Sequence, residues 1–148
     1  MEKQEAIIQT ISEMMPMFGV NADFQRALVS ENLTSACQVN MLVGFTNSLK
    51  GNFLIGLDKN TALHIAGKMM GGMKLTEVDL MVKSALGELT NMIAGMFLNK
   101  LAIDGVVDLS PPTLITGDKL FIMISRVKSD RYIFKVNGQL LTVSYAIE

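Results

Sequence analysis

The segment Ser84-Ala-Leu-Gly-Glu-Leu-Thr-Asn-Met-Ile-Ala-Gly95 has the periodicity of an amphipathic helix. At about 100° per residue, one face combines small residues with one carboxylate and one amide: Ser84, Glu88, Asn91 and Gly95, with Gly87 at the margin. The opposite face is apolar and is predicted to enter the core; it carries Val82, Leu86, Leu89, Ile93, Met96 and Phe97. Thr76 and Asp79 resemble a capping box, with Asp in place of Glu or Gln, and predict a helix that runs to about Ala102.

Two glycines inside a helix need an explanation. Each costs about 1 kcal/mol relative to alanine in a helix interior, and Gly87 and Gly95 both lie on or beside the polar face. Bare backbone lets a second protein come close, and it also lets a neighbouring helix of the same fold pack tightly. The spacing leaves both explanations open. Glu88 and Asn91 are equally compatible with polar side chains that only face solvent.

The segments on either side of this helix predict an α+β fold. Residues 3–18 have helical spacing and stop at Gly19, and a short helix over residues 61–70 stops at Gly71-Gly72. Alternating apolar residues predict strands at 26–30, 36–46, 51–57, 106–109, 120–127, 132–136 and 140–147. Asn137-Gly138 is a strong hairpin signal, and Pro111-Pro112 forces an extended path. We predict a single domain over residues 1–148, with a mostly antiparallel six- to seven-stranded sheet and three helices packed on one face.

The composition excludes several classes of function. The 148 residues are 49% hydrophobic and only 18% charged, with 12 Met and a net charge of −1. There is no basic excess to neutralise nucleic-acid phosphates and no polybasic segment to hold an anionic membrane. The N-terminal residues lack the apolar region of a signal peptide, and Cys37 is the single cysteine. We therefore expect a cytoplasmic protein without nucleic-acid binding or membrane insertion, whose apolar surplus is hidden inside or against another chain.

The sequence offers no cluster of metal ligands. His64 has no second ligand three or four residues away, and the methionines are scattered over core-like positions, where thioethers fill gaps. We predict no metal site and no cofactor in this chain. A partner contact by the methionines around Gly71-Gly72 stays open.

Three blocks of sequence together carry a resemblance to a known family. They are TALHIAGKMMGGM from Thr61, SALGELTNMIAG from Ser84 and VDLSPPTLITG from Val107. In this order and spacing they are similar to the CheX proteins, which belong to the CheC/CheX/FliY group of bacterial chemotaxis phosphatases. The resemblance covers about Thr61 to Lys119, and it implies the CheC/CheX-like form of the α+β fold.

The resemblance also implies a function for the polar face. A CheX-like protein dephosphorylates the aspartyl phosphate of a response-regulator receiver domain, CheY, and its homodimer is typical of the family. Carried over, the amide of Asn91 would position the hydrolytic water, and Glu88 would pair with the active-site Lys of the receiver. Ser84, Gly87 and Gly95 would give the receiver room to approach. The Mg²⁺ of the reaction would belong to the phosphorylated partner, and this chain would need no cofactor.

Two features bear on the alternatives. CheC-type members carry a second acid–amide pair, but here Glu13 is followed by Pro16 where the amide would stand, so one site per chain is expected. A non-catalytic module that binds a receiver domain or a flagellar-switch component is the alternative, although a pure binder would not need the amide. An unrelated small-molecule binder with an apolar pocket finds no positive support in the sequence.

Overall fold

A computed structural model describes all 148 residues as three α-helices, one 3-10 helix and nine strands. The helices are α1 (Lys3–Met14), α2 (Lys59–Met69) and α3 (Leu80–Leu101), and the 3-10 helix (Met15–Phe18) directly follows α1. The strands are β1 (Asp23–Ser30), β2 (Leu33–Ser35), β3 (Val39–Asn47), β4 (Gly51–Leu57), β5 (Val107–Leu109), β6 (Thr113–Thr116), β7 (Ile122–Ser125), β8 (Ser129–Val136) and β9 (Gln139–Ile147). None of the helices combines the length and the hydropathy that a membrane crossing requires.

Seven strands form one antiparallel sheet. Its order is β1-β8-β9-β4-β3-β5, and β6 also pairs with β3. The outer edge of β3 is shared, since β5 pairs with residues 45–47 and β6 with residues 39–42. β2 and β7 form a separate two-stranded sheet. The α+β class and the antiparallel seven-stranded sheet predicted from the sequence are confirmed.

The two faces of the sheet carry two different hydrophobic clusters, because successive side chains of a strand point to opposite faces. One face joins the three helices in a cluster of 30 buried residues, to which β3 contributes Val39, Met41, Val43 and Phe45. The other face holds a small cluster of Leu33, Leu54 and Ala146, where β2 and β7 cover part of the sheet. The helices therefore lie on one face, as predicted.

Helix α3 is anchored by its apolar face. Five of the six residues predicted for the core are fully buried, namely Val82, Leu86, Leu89, Ile93 and Phe97. Met96 is half-buried and packs against the same cluster. The ring of Phe97 stacks on Tyr145 of β9, with 5.1 Å between the ring centroids. This packing fixes the rotation of α3 and so determines which residues it shows to solvent.

All three helices differ at one end from the sequence prediction. Helix α2 starts at Lys59, two residues before the predicted start, because the Asp58 carboxylate caps it and accepts the N–H of Thr61 at 2.6 Å. Helix α3 starts three residues later than a cap at Thr76 would give, because the Asp79 carboxylate is the cap and accepts the N–H of Val82 at 3.0 Å. Helix α1 tightens into a 3-10 turn at Met15, because Pro16 has no N–H for an α-helical bond. That turn ends at Gly19, which has φ of 74°, as the sequence predicts.

Two short strands were not predicted. β2 has three residues and β6 has four, which is too short for a clear alternation of apolar and polar residues. The predicted strand 36–46 begins only at Val39, since Ser35 and Cys37 form a turn in which the Cys37 N–H donates to the Ser35 hydroxyl at 3.1 Å. The Asn137-Gly138 hairpin is confirmed, with φ of 50° and 79° at its two central residues.

Candidate functional site

The polar face of α3 opens to solvent opposite its apolar face. Ser84 and Glu88 are exposed, and Asn91 is half-buried beside them. Glu88 and Asn91 are three residues apart, which places them on the same side of the helix within about one turn. The structure therefore brings the predicted acid and amide together on a rigid element, although their chemical roles stay predictions.

The amide of Asn91 has an unused acceptor. Its carbonyl oxygen, Oδ1, is buried and has no hydrogen-bond partner within the chain. Buried polar atoms are normally paired, because an unpaired one costs about 1–3 kcal/mol. The amide of Asn91 therefore has hydrogen-bonding capacity that no group of the chain uses.

Glu88 is also without a partner of opposite charge. The one ion pair of the chain joins Lys100 Nζ to Glu13 Oε2 at 3.0 Å, and Glu88 takes no part in it. An exposed carboxylate of this kind can pair with a basic group that another molecule supplies.

Two clefts flank this face of the helix. The larger has a volume of about 650 Å³ and lies between α3 and the β3–β6 side of the sheet; its lining includes Glu88, Asn91, Gly87, Lys83, Met41 and Pro112. The smaller, about 470 Å³, lies between α3, the end of α2 and the 3-10 helix; its lining includes Phe18, Met69, Met70, Leu80, Met81 and Glu88. We call them the amide cleft and the apolar cleft. Ser84, Glu88 and Leu80 line both.

The two glycines of α3 have different surroundings. A Cβ on Gly87 would lie 3.4 Å from Pro112 Cγ and 3.7 Å from Met41 Cε, which are ordinary contact distances to another part of the same chain. A Cβ on Gly95 would meet nothing within 4 Å. Side chains of the same chain therefore line the space beside Gly87, whereas the space beside Gly95 is open and gives no internal reason for a glycine.

The first helix carries no equivalent of the polar face. Its Glu13 is tied to Lys100 of α3 in the ion pair described above. Pro16 lies in the 3-10 turn and has no side-chain amide. One site per chain stays a prediction.

The other residues singled out in the sequence lie outside the amide cleft. His64 is half-buried on α2 and lines a third cleft with Lys68 and Met73. No group of three or more His, Cys, Asp or Glu residues in the chain could hold a metal ion. Met69 and Met70 do lie next to Glu88, in the apolar cleft.

Sequence reasoning missed the contribution of Leu80 and Met81 to the site. Both are exposed, although they are large and apolar. The signal was available: Leu80 stands four residues before Ser84 and eight before Glu88, so it lies on the polar face at helical spacing. Phe18 and Pro112 could not have been found this way, because tertiary packing alone brings them to the clefts.

Comparisons with known proteins agree with the resemblance. A family model described as "Chemotaxis phosphatase CheX" matches residues 39–136. The CheY-P phosphatase CheX of Thermotoga maritima is 39% identical over 82 residues, which are 55% of this chain and 53% of that protein. The chain thus spans about half the length of the curated relative it matches.

Solved structures with the same fold cover nearly the whole chain. A crystal structure of a chemotaxis protein from Desulfovibrio vulgaris Hildenborough, described as putative, has a TM-score of 0.86 and 25% identity and covers 100% of this chain and 97% of its own. A CheX–CheY–BeF3–Mg²⁺ complex from Borrelia burgdorferi gives a TM-score of 0.76 at 24% identity and covers 99% of this chain and 95% of its own.

Proposed function

The chain belongs to the CheX family of chemotaxis phosphatases, and from that premise we propose that it hydrolyses the aspartyl phosphate of a CheY-like receiver domain. The observation that carries the proposal is the unpaired, buried carbonyl oxygen of Asn91, one helical turn from the exposed carboxylate of Glu88. The relative from Thermotoga maritima, a CheY-P phosphatase, supports the same activity. The pathway would be the termination of a chemotaxis signal.

Asn91 would position the attacking water. Phosphoryl transfer from an aspartyl phosphate has a loose, in-line transition state, so catalysis depends mainly on placing the nucleophile. An asparagine side chain can accept one hydrogen bond from a water through Oδ1 and donate through its NH₂ group. Asn91 is half-buried on an anchored helix, so its side chain has little freedom to move. It would therefore hold the water in a fixed direction.

Glu88 would dock the receiver. Its carboxylate is exposed and has no basic partner in the chain, so it is free to pair with the active-site Lys of the receiver. Such a charge-assisted bond is strong once water is excluded. It would also set the register of Asn91, since both residues belong to the same rigid helix.

The receiver would supply the rest of the chemistry. The structure from Borrelia burgdorferi that shares the fold is a complex of CheX with CheY, BeF3 and Mg²⁺, in which BeF3 stands for a phosphoryl group. It supports a CheY-like partner, and we place the Mg²⁺ with the receiver. This chain would then contribute two side chains and no cofactor.

The assembly and location of the protein are proposals of the same kind. We propose a homodimer of single-domain chains with one site each, in the cytoplasm. The support for a dimer is the outer edge of the sheet, β1, all of whose residues are exposed, including Phe24, Leu28 and Val29. An open edge with apolar side chains is suited to pairing with another chain.

The test is the release of phosphate from a panel of phosphorylated receiver domains, with and without this protein. We expect faster release with at least one receiver, and a loss of kcat by about a hundredfold for Asn91→Ala, since misplacing a reactant by about 1 Å has an effect of that size. Asn60→Ala is the matched control, because Asn60 is an exposed helical asparagine on α2, outside both clefts.

The outcomes separate the alternatives. Asn91→Ala with full activity would show that the water is positioned by another group. Binding of a phosphorylated receiver with no change in its decay would favour a non-catalytic binding module.

A further inference from the structure

The apolar cleft beside Glu88 exposes side chains that a solvent-facing helix normally avoids. Leu80 is 79% exposed and Met81 is 53% exposed, at the very start of α3. Across the cleft, Phe18, Met69 and Met70 form an apolar wall. Contiguous apolar surface of this kind is typical of a contact site.

We propose that the apolar cleft receives a large apolar side chain of the receiver domain when the receiver docks on Glu88. This inference rests on the proposed function, because it needs a receiver docked on Glu88. In this proposal, Leu80, Met81 and the apolar wall determine which receivers bind. Asn91 takes part in the hydrolysis.

The apolar cleft adjoins the proposed catalytic face. The receiver that docks on that face is therefore the molecule that we expect to fill the cleft. Leu80, Ser84 and Glu88 follow one another at successive turns of α3 and line both clefts. Leu80 lies about 12 Å from Glu88 along the helix axis, at about 1.5 Å per residue. A globular domain covers a surface of that width, and Glu88 itself lines the apolar cleft, so the cleft lies within reach of a receiver that pairs its lysine with Glu88.

The walls of the cleft are held in place before a partner arrives. The segment after α2 is pinned by its own backbone, since the Gly72 and Met73 N–H groups both donate to the Gly67 carbonyl, at 2.9 Å and 3.1 Å. The opposite wall is α3 itself, which the core anchors. A preformed cleft binds without the cost of ordering its walls.

The lining discriminates between apolar and charged side chains more strongly than between apolar side chains of different shape. Methionine side chains are flexible and adapt to different apolar partners. Glu88 is the only charged residue in the lining. A receiver with a carboxylate at this place would bury it beside the carboxylate of Glu88 with no basic partner, which costs far more than leaving it in water.

The variants Leu80→Gln and Met81→Gln, alone and combined, test this inference. Both residues are exposed and glutamine is a good helix former, so the fold is expected to be retained. Met123→Gln is the matched control, because Met123 on β7 is 51% exposed and lies outside both clefts. The probes are the phosphorylated receiver for turnover and its beryllofluoride-loaded form for binding.

The double variant is expected to raise KM for the receiver, and the Kd for its beryllofluoride-loaded form, about tenfold, equal to about 1.4 kcal/mol. Its kcat at saturating receiver should stay unchanged, as should all constants of Met123→Gln. An unchanged KM and Kd in an active double variant would overturn the inference. So would a change in its mass by light scattering, which would make the cleft a contact between copies of this chain. A failure of the proposed function looks different, since the wild-type protein would then leave every receiver phosphate untouched.

Discussion

Replacing Gly95 with alanine should make the protein more stable and less active. Gly95 lies in the interior of the 22-residue helix α3, where glycine costs about 1 kcal/mol relative to alanine. Because a Cβ at this position meets nothing within 4 Å, the whole of that gain should appear in the free energy of unfolding. For a domain of this size, 1 kcal/mol raises Tm by about 2–4 °C.

The cost of the substitution should appear in the contact with the receiver. Gly95 stands four residues after Asn91, on the same side of the helix, and has no internal reason to lack a side chain. If the receiver approaches the bare backbone here, a methyl group overpacks the contact, at a cost of about 1–3 kcal/mol. KM for the phosphorylated receiver should then rise about tenfold, with a smaller effect on kcat.

Thermal unfolding and steady-state phosphate release, measured on the same samples, decide the matter. Gly87→Ala is the comparison, because its Cβ would touch Pro112 and Met41 inside the chain and should give a smaller gain in stability. A Gly95→Ala variant that is more stable and fully active would refute the view that this glycine makes room for the receiver. A variant that is less stable would refute the view that the position is open.

Two further predictions concern the core and the sheet edge. The hydroxyls of Tyr132 and Tyr145 lie 2.7 Å apart in the core and form a hydrogen bond. Each single Phe substitution leaves the other hydroxyl unpaired, so it should lower the free energy of unfolding in urea by about 1–3 kcal/mol. The double substitution should cost less than the sum of the two. Burial raises the pKa of both tyrosines above the ordinary 10.0, so the stabilisation is complete below about pH 10 and is lost as the pH rises further; the double Phe variant should lack this alkaline loss. If the chain pairs through the edge strand β1, light scattering should give a mass of about twice the chain mass of 16.2 kDa. The substitution Val29→Lys on β1 should lower the measured mass toward that of one chain. A wild-type protein with the mass of one chain would contradict the dimer.

The long helix was predictable because one periodicity determines both of its faces. The spacing of Leu86, Leu89 and Ile93 identifies the buried side, and the remaining side then contains Glu88 and Asn91 without any further information. The family resemblance, confirmed by the comparisons, rests on the same segment together with the blocks that begin at Thr61 and Val107. Local patterns were therefore sufficient for the class of fold and for the pair of residues proposed as the site.

The clefts were not predictable, because they depend on contacts between distant parts of the chain. Phe18 and Met70 are 52 residues apart and meet Met81 only when the 3-10 helix, α2 and α3 pack together. The different roles of Gly87 and Gly95 are hidden for the same reason, since it is Pro112, far along the chain, that fills the space beside Gly87.

The chemistry proposed for this chain requires orientation more than reactivity, and the structure explains how so few polar residues could supply it. A water held by Asn91 attacks in line only if the helix keeps a fixed rotation against the receiver. That rotation is determined by the apolar face of α3, through the packing of Phe97 on Tyr145 and of Ile93 in the same cluster. The high apolar content of the chain therefore serves the site directly, because the core beneath α3 limits the motion of the amide above it.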